Sequence, residues 1–527
     1  MADTVSSCVM KRRLLLALAC VFAASTAARA DEPAYVPPEF MATLPPLPER
    51  ARGGEPWRMD LAEALQIALH ENLGIVLERA QVDVARLGID VARGEFEPTV
   101  SASADHGRSD SPPVTVQEGG AGSILSFIND DWSLSIAQRI ATGARLQLSF
   151  GNGRALSSAG TAVEPLNYRS QLQVSLTQPV LRGFSTDLVV PRVDVLRAKI
   201  ASDRERAQLA ITAADIVERT EDAYWDVVQA LFRYDVEVHS EQRAEEQIAL
   251  TERQIAAGML PPSDLIQAES TVAQRKLGVV QAEQGVEAAW DALRSMLNLP
   301  RDRWSRAIVP VDLPQFAPTT TQPEEALQVA LTHRPELAQM KLDLDSALLA
   351  VRVAENAKLP EIDVGVTGAL IGQDSTYSGA LDGLGRTDTH AYTAMVNLTW
   401  TPLNRTAIAN AEIARRNHAM ATTRREQLIQ QVWFAVRDAV RNQDNTARQV
   451  AAAARSRELT TQSLELEQRK FLTNQTTNFV VSQRQEELAT AQLAELSAVV
   501  AHKKAVAALL RATGRLLDDH RVVLDAK

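Results

Sequence analysis

Along several short stretches of the chain, apolar and polar residues alternate strictly. In 361–370, Ile362, Val364, Val366 and Leu370 share one face, with Glu361, Asp363 and Thr367 on the other. In 391–400, Tyr392, Ala394, Val396, Leu398 and Trp400 alternate with Thr393, Asn397 and Thr399. In 170–177, Leu172, Val174 and Leu176 alternate with Gln171, Gln173, Ser175 and Thr177, and 99–104 alternates through Val100, Ala102 and Ala104. A period of two over about nine residues predicts strands, either tilted across a bilayer or half-buried in a soluble sheet. Between these stretches the chain changes character. Residues 192–257 and 403–513 contain neither glycine nor proline. Ordinary helices run about three turns, so these runs predict a coiled-coil-like assembly, the first reaching ~100 Å at ~1.5 Å per residue.

The pattern occurs twice. Ala64, Leu65, Ala68 and Leu69 match Ala326, Leu327, Ala330 and Leu331, and the alignment runs without gaps to Pro98 and Pro360, each ending a helix before an alternating stretch. The chain is therefore read as two copies of one unit, 60–300 and 323–515, joined by a linker at 301–322. A proline-rich arm covers 31–59, and a short tail covers 516–527. In the first copy the long helix turns at Gly258, Pro261, Pro262 and Asp264. The equivalent place in the second copy is the Thr/Asn-rich segment 473–478, which predicts a helical hairpin rather than one straight rod. The first copy carries one addition. Residues 131–137 and 144–150 also alternate around Thr142 and Gly143, an extra hairpin over 131–152. It is either an extracellular excursion or two more wall strands, and the first is preferred because extra strands would outrun the helices beneath.

The N-terminus reads as an export signal over 1–30. Lys11, Arg12 and Arg13 precede the apolar run Leu14 to Ala24, and Ala28 and Ala30 frame a small-x-small cleavage site after Ala30. Met10 is an alternative start. The two cysteines, Cys8 and Cys20, both fall in this segment, so no disulfide is expected in the mature chain; Cys20 is alternatively a lipid-attachment site. Beyond the signal no apolar run reaches 18 residues, so a membrane could be crossed only by a closed barrel. Four strands cannot enclose water, so several chains must pool theirs.

Composition narrows the function. The formal net charge of −11 argues against a nucleic-acid partner. No GxSxG, HExxH, CxxC or P-loop pattern occurs, and His70 and His333 sit at helix openings where a surface or capping role outweighs metal binding. No enzyme activity, metal or cofactor is expected.

Taken together the residues resemble the outer membrane factor (TolC-like) family of efflux and secretion channels. The resemblance covers about 60–515. It is carried by the Ala-Leu-x-x-Ala-Leu openings at 64–69 and 326–331, by Pro98 and Pro360, by the strand end Ser175 to Pro179, and by Gly258 followed by Asp264 and Leu265. It implies a mainly α fold with a membrane β-barrel: a homotrimer with a twelve-stranded barrel in the outer membrane of a Gram-negative bacterium, continuing into a periplasmic α-helical tube. That tube would dock on a periplasmic adaptor (membrane fusion) protein and an inner-membrane transporter, as the exit duct of a tripartite efflux or type I secretion system. Gln171, Gln173, Ser175, Thr177, Asn397 and Thr399 would line the pore, while Gly258, Asp264, Thr473 and Asn478 would meet the adaptor at the tips. Where the family carries two tip aspartates three residues apart, this chain has Asn478 and Val481, and Leu472 replaces a glycine, so the family's acidic entrance is not implied here. The rival reading is a periplasmic adaptor or other coiled-coil interaction protein that forms no pore. Cargo, whether drug, metal ion, metabolite or polypeptide, stays open.

Overall fold

A computed structural model describes residues 37–48, 56–113, 124–158, 165–318, 320–386, 389–473 and 475–523. The expected export signal, with Ala30, Cys8 and Cys20, lies outside the described residues. In chain order the first half holds α1 (Glu39–Ala42), β1 (Trp57–Met59), α2 (Leu61–Glu71), α3 (Leu73–Gly94), β2 (Thr99–Ser111), β3 (Leu125–Arg139), β4 (Arg145–Ser157), β5 (Leu166–Pro179), α4 (Val193–Ala256) and α5 (Ser263–Leu297). After a single turn at Arg301–Arg303 come β6 (Ile308–Pro310), α6 (Pro323–His333), α7 (Pro335–Asn356), β7 (Glu361–Asp374), α8 (Tyr377–Arg386), β8 (His390–Thr399), α9 (Arg405–Leu472), α10 (Asn478–Thr513) and α11 (Leu516–Asp519).

Both halves open with the repeated helix pair. Asp60 caps α2 by accepting the Glu63 amide at 2.6 Å, and α2 buries Ala64, Leu65, Ala68 and Leu69. Its counterpart α6 starts on Pro323 and buries Ala326 and Ala330. The long helices follow from the runs without breakers: α4 has 64 residues and α9 has 68, each about 100 Å long. They stop where the sequence supplies a reason. Gly258, at φ +73°, takes the left-handed conformation that lets the chain leave α4 and re-enter as α5. The polar segment after Leu472 turns α9 into α10, as the hairpin expectation required.

The helices form a sheet-like layer, four abreast. One flank of α4 packs on α3 and α5, the other on α7 and α10, and α9 packs beyond these. The short helices meet end to end. The Asn72 side chain caps α3 through the Gly74 amide (2.9 Å) and also donates to the Met296 carbonyl at the end of α5 (2.8 Å), while Asn298 donates to Glu71 O (2.9 Å). At the matching junction of the second half, Arg511 near the end of α10 donates to Asp215 on α4 (2.6 Å) and Glu336 on α7 (2.9 Å).

Midway along the helices the largest apolar cluster gathers Tyr224, Trp225 and Phe232 of α4 with α2, the end of α5 and Leu496 and Val500 of α10. The arm and linker do not stand apart from it. Trp57 to Met59 pairs in parallel with Ile308 to Pro310, and Trp290 Nε1 donates to Ile308 O (2.8 Å). Asp312 then accepts both the Tyr224 hydroxyl (2.7 Å) and the Leu61 amide (2.8 Å). Burial and the neighbouring Asp312 carboxylate push the Tyr224 phenol well up from its ordinary value, so it stays a neutral donor.

The strands form one antiparallel sheet in the order β2-β3-β4-β5-β7-β8. This corrects the preference for an extracellular excursion at 131–152. β3 and β4 are inserted between β2 and β5, with continuous registers running from Thr99↔Ala137 to Ser111↔Leu125, and from Arg145↔Thr177 to Leu156↔Leu166. Their amides and carbonyls have partners on both sides, which a detached hairpin would lack.

Two measurements check this packing. Gly514, at φ +76°, would place a Cβ 2.8 Å from Arg334 N, whereas Gly258 faces open space. Gly258→Ala should therefore cost about the 1–2 kcal/mol of a left-handed alanine, and Gly514→Ala clearly more, read as denaturant midpoints of the two variants. In the same belt, His520 Nε2 donates to the Glu221 carboxylate (3.1 Å), which holds the imidazole above its usual range, against the effect of burial. A raised folded pKa gives stability that is complete below the unfolded value, about 6.5, and is lost as pH rises through the folded one. Melting temperature should fall as pH rises above about 6.5, and His520→Gln should flatten that slope.

Candidate channel wall and helical tips

Strand register decides which side chains share a face. Across the six strands one face reads Val100, Ile136, Leu148, Val174, Gly368 and Tyr392, and the next step reads Ala102, Leu134, Phe150, Leu172, Leu370 and His390. These side chains are open to the surroundings: Val174 is 46% exposed, Val366 56% and Tyr392 83%. A soluble sheet with this much contiguous apolar surface would have to be covered. Aromatic rings occur at both margins of the band, with Trp132 edge-on to Phe150 at 5.5 Å at one and Trp400 just past β8 at the other. Beyond the apolar band, on the same face, the strands turn polar: Asp130 on β3 bonds His106 of β2 (2.6 Å) and Arg154 of β4 (3.0 Å).

The opposite face is mainly polar, with Ala137, Ala369, Ile371 and Met395 among its apolar members. Ser101 and Ser135 share a hydrogen bond across strands (2.7 Å), as do Ser103 and Ser133 (2.9 Å), and Gln171 donates to Gln173 (2.9 Å). All six residues expected along a pore fall on this face. Gln171, Gln173, Ser175 and Thr177 project from β5 in alternate positions, and Asn397 and Thr399 lie opposite Asp363 and Glu361 at the helix end of the sheet. A recess of about 510 Å³ lined by Ser103, Ser135, Ser149, Gln171 and Gln173 opens on it. The serines of β3 and β4 were missed as members of this face because the added hairpin was placed outside the wall; their alternation was visible.

The sheet is fastened to the helices at one end. Gln138 donates to Phe96 O (3.1 Å) and Arg139 pairs with Glu95 just past α3, while Gln178 and Thr142 exchange hydrogen bonds (2.9 and 3.1 Å) that tie the β3–β4 turn to β5. Asn356 ties the segment after β5 down through Gly183 N (2.8 Å) and Phe184 O (2.8 Å). At the far end, α8 lies on the apolar face of β5 and β7, so close that a Cβ on Gly372 would run into the Ala380 carbonyl.

At the other extreme of the molecule the two helical turns come together. Asp264 of α5 and Asn478 of α10 line one cleft of about 260 Å³. Gly258 and Thr473 are exposed, and Asp264 is half-buried. Asn478 differs from the expectation of a presented contact residue. It is 6% exposed and its amide donates to Thr251 Oγ1 on α4 (3.1 Å), because a polar side chain at the start of a packed helix is drawn to the nearest buried acceptor. Val481 is buried as well.

A sheet apolar on one side and polar on the other, unclosed within one chain and carried on helices about 100 Å long, defines a subunit of a membrane barrel with a helical extension. The profile of the outer membrane efflux protein family matches residues 64–299 and 326–515, and the chain belongs to that family. It is thus an outer-membrane protein of a channel family, not an enzyme. Solved structures share the fold. The Campylobacter jejuni outer membrane channel CmeC is 14% identical with a TM-score of 0.62 over 86% of each chain. The outer-membrane channel OprN is 17% identical with a TM-score of 0.63, covering 92% of this chain and 98% of its own. The open state of the Neisseria gonorrhoeae outer membrane channel MtrE is 17% identical, with a TM-score of 0.60 over 86% of this chain and 89% of its own. No curated protein matches the sequence.

The two faces of the sheet predict opposite responses to charge. Val174→Arg should cost about 2–4 kcal/mol in bilayer-refolded protein, whereas Ser175→Arg, one residue away, should leave unfolding near the parent value. Equal sensitivity at both positions would remove the assignment of faces.

Proposed function

We propose that three copies of this chain join their sheets into one channel through the outer membrane, and that their helices form a tube reaching into the periplasm. The polar face, with Gln171, Gln173, Ser175, Thr177, Asn397 and Thr399, lines the lumen, and the apolar face meets lipid. At the helical tips Gly258, Asp264 and Thr473 meet a periplasmic adaptor protein coupled to an inner-membrane transporter. The protein then serves as the exit duct of an efflux or type I secretion system, with the energy supplied by the transporter. The cargo class is set by that pump.

The observation that carries this reading is the exposed apolar face of a sheet with two free edges. Unpaired amides and carbonyls in hydrocarbon cost several kcal/mol each, so the edges need partners, and further copies of the chain supply them. A periplasmic adaptor that forms no pore offers no reason for that apolar face. The test is conductance of the detergent-purified protein in a planar bilayer together with its native mass. Discrete current steps from a three-chain particle are expected. A water-soluble single chain that passes no current would end the reading.

A further inference from the structure

The number of strands per copy is the feature that departs from the expected pattern. Four strands in each of three copies would make the twelve of the family resemblance, but this chain folds six into one sheet. The added pair crosses the whole wall. The turn at 140–144 lies at the helix end, held to β5 by Thr142 and Gln178, and β3 reaches as far as β2 does at the other end, where Leu125 pairs with Ser111. Its faces obey the same rule as the rest of the wall: Trp132, Leu134, Ile136, Leu146 and Leu148 are exposed on the apolar side, and Ser133, Ser135 and Ser149 lie on the polar side.

Resting on the channel reading above, we infer that the trimer closes an eighteen-stranded barrel, β8 of each copy pairing with β2 of the next, and that its outer mouth admits solutes too wide for a twelve-stranded one. Direction permits the seam. The even number of strands in the sheet leaves β2 and β8 running opposite ways, so head-to-tail joining of copies stays antiparallel all round. Both edge strands are also almost wholly exposed along their length.

Girth supports it too. Strands ~4.8 Å apart and tilted ~45° give a wall of about 80 Å around for twelve strands and about 120 Å for eighteen. The layer beneath has four helices abreast in each copy, and twelve helices at ~10 Å spacing make a tube of about 120 Å. An eighteen-stranded wall therefore does not outrun the tube beneath it. Allowing ~5 Å for side chains, the free mouth is about 28 Å across, against about 16 Å for twelve strands. At the level of Ser135, Ser149 and Gln173 its lining offers neutral hydroxyl and amide groups, and Asp105, Asp131 and Arg169 share the same face further out.

The test is polymer exclusion in planar bilayers. A neutral polyethylene glycol about 20 Å across, added on the outer side, should lower the single-channel current of the parent, and should have no effect after deletion of 125–157. If the parent excludes that polymer, the wall is the narrow one and the inference falls. Should the deleted chain fail to assemble, single cysteines give the answer in the intact barrel, with the parent chain measured alongside as background for Cys8 and Cys20. A charged, water-soluble thiol reagent should reduce current at least 2-fold more through Ser149→Cys than through Leu148→Cys. Equal labelling of both with no change in current would place the hairpin in outside water and overturn the proposal. A parent that passes no current at all, or has a single-chain mass, defeats the channel reading itself and this proposal with it.

Discussion

A peptide group inside hydrocarbon has no water to bond to, and the architecture of this chain follows from that single condition. It forces the membrane part to be a sheet in which every strand has neighbours on both sides. It also forbids the sheet to end, so one chain on its own is incomplete. The alternating faces answer the same condition for side chains, with leucine, valine and aromatic residues toward lipid and serine, glutamine and threonine toward water. The sheet would have little value without a means of holding its lower rim. That rim is fixed by side-chain bonds from Gln138 and Asn356 to backbone and by the Arg139–Glu95 ion pair. Such bonds set position and angle at a place where lipid, water and helix meet.

Below the membrane the governing problem is different. A helix about 100 Å long cannot bury a face against itself, so α4 and α9 need company along their whole length. The chain supplies it with pairs of shorter helices that abut, α3 on α5 and α7 on α10. The junctions are polar and specific: Asn72 and Asn298 trade bonds with opposite helix ends, and Arg511 joins three elements at once. Apolar burial is then concentrated at the belt, where Tyr224, Trp290 and Asp312 anchor the arm and linker. The arm thereby acts as a strap over the layer, although its sequence shows only a run of prolines.

Much of this was legible in the sequence because it is written in long, regular signals. The Gly- and Pro-free runs gave the helices to within a residue or two, the gapless repeat predicted a hairpin at 473–478, and alternation marked each strand. What was hidden falls into recognisable kinds. β1 and β6 are three residues each, too short to show any period, and exist only because Trp57 and Ile308 are brought together by the belt. α8 carries Gly379, Gly383 and Gly385, which read as a loop, yet at least two of those glycines permit its close approach to β7 or to the Asp374 side chain. β2 continues past the alternating part as His106 to Ser111, where the surroundings are no longer lipid and the pattern lapses. The outward burial of Asn478 depends on Thr251, distant in sequence, and no local feature announces it. The place of the added hairpin was misjudged for a geometric reason, since strand and helix counts were compared without their different widths.

The inserted hairpin returns the chain to the side of the membrane it left. For that reason β5, and everything after it, keeps the direction it would have had without the insertion. A single added strand would have inverted the whole remainder of the molecule and put the helices on the wrong side. Evolution of such a wall can therefore proceed only in paired steps, and each step is local: it alters the width of the opening while leaving the helical machinery below untouched. The number of strands in the wall and the helical layer beneath it can thus, in this architecture, vary separately.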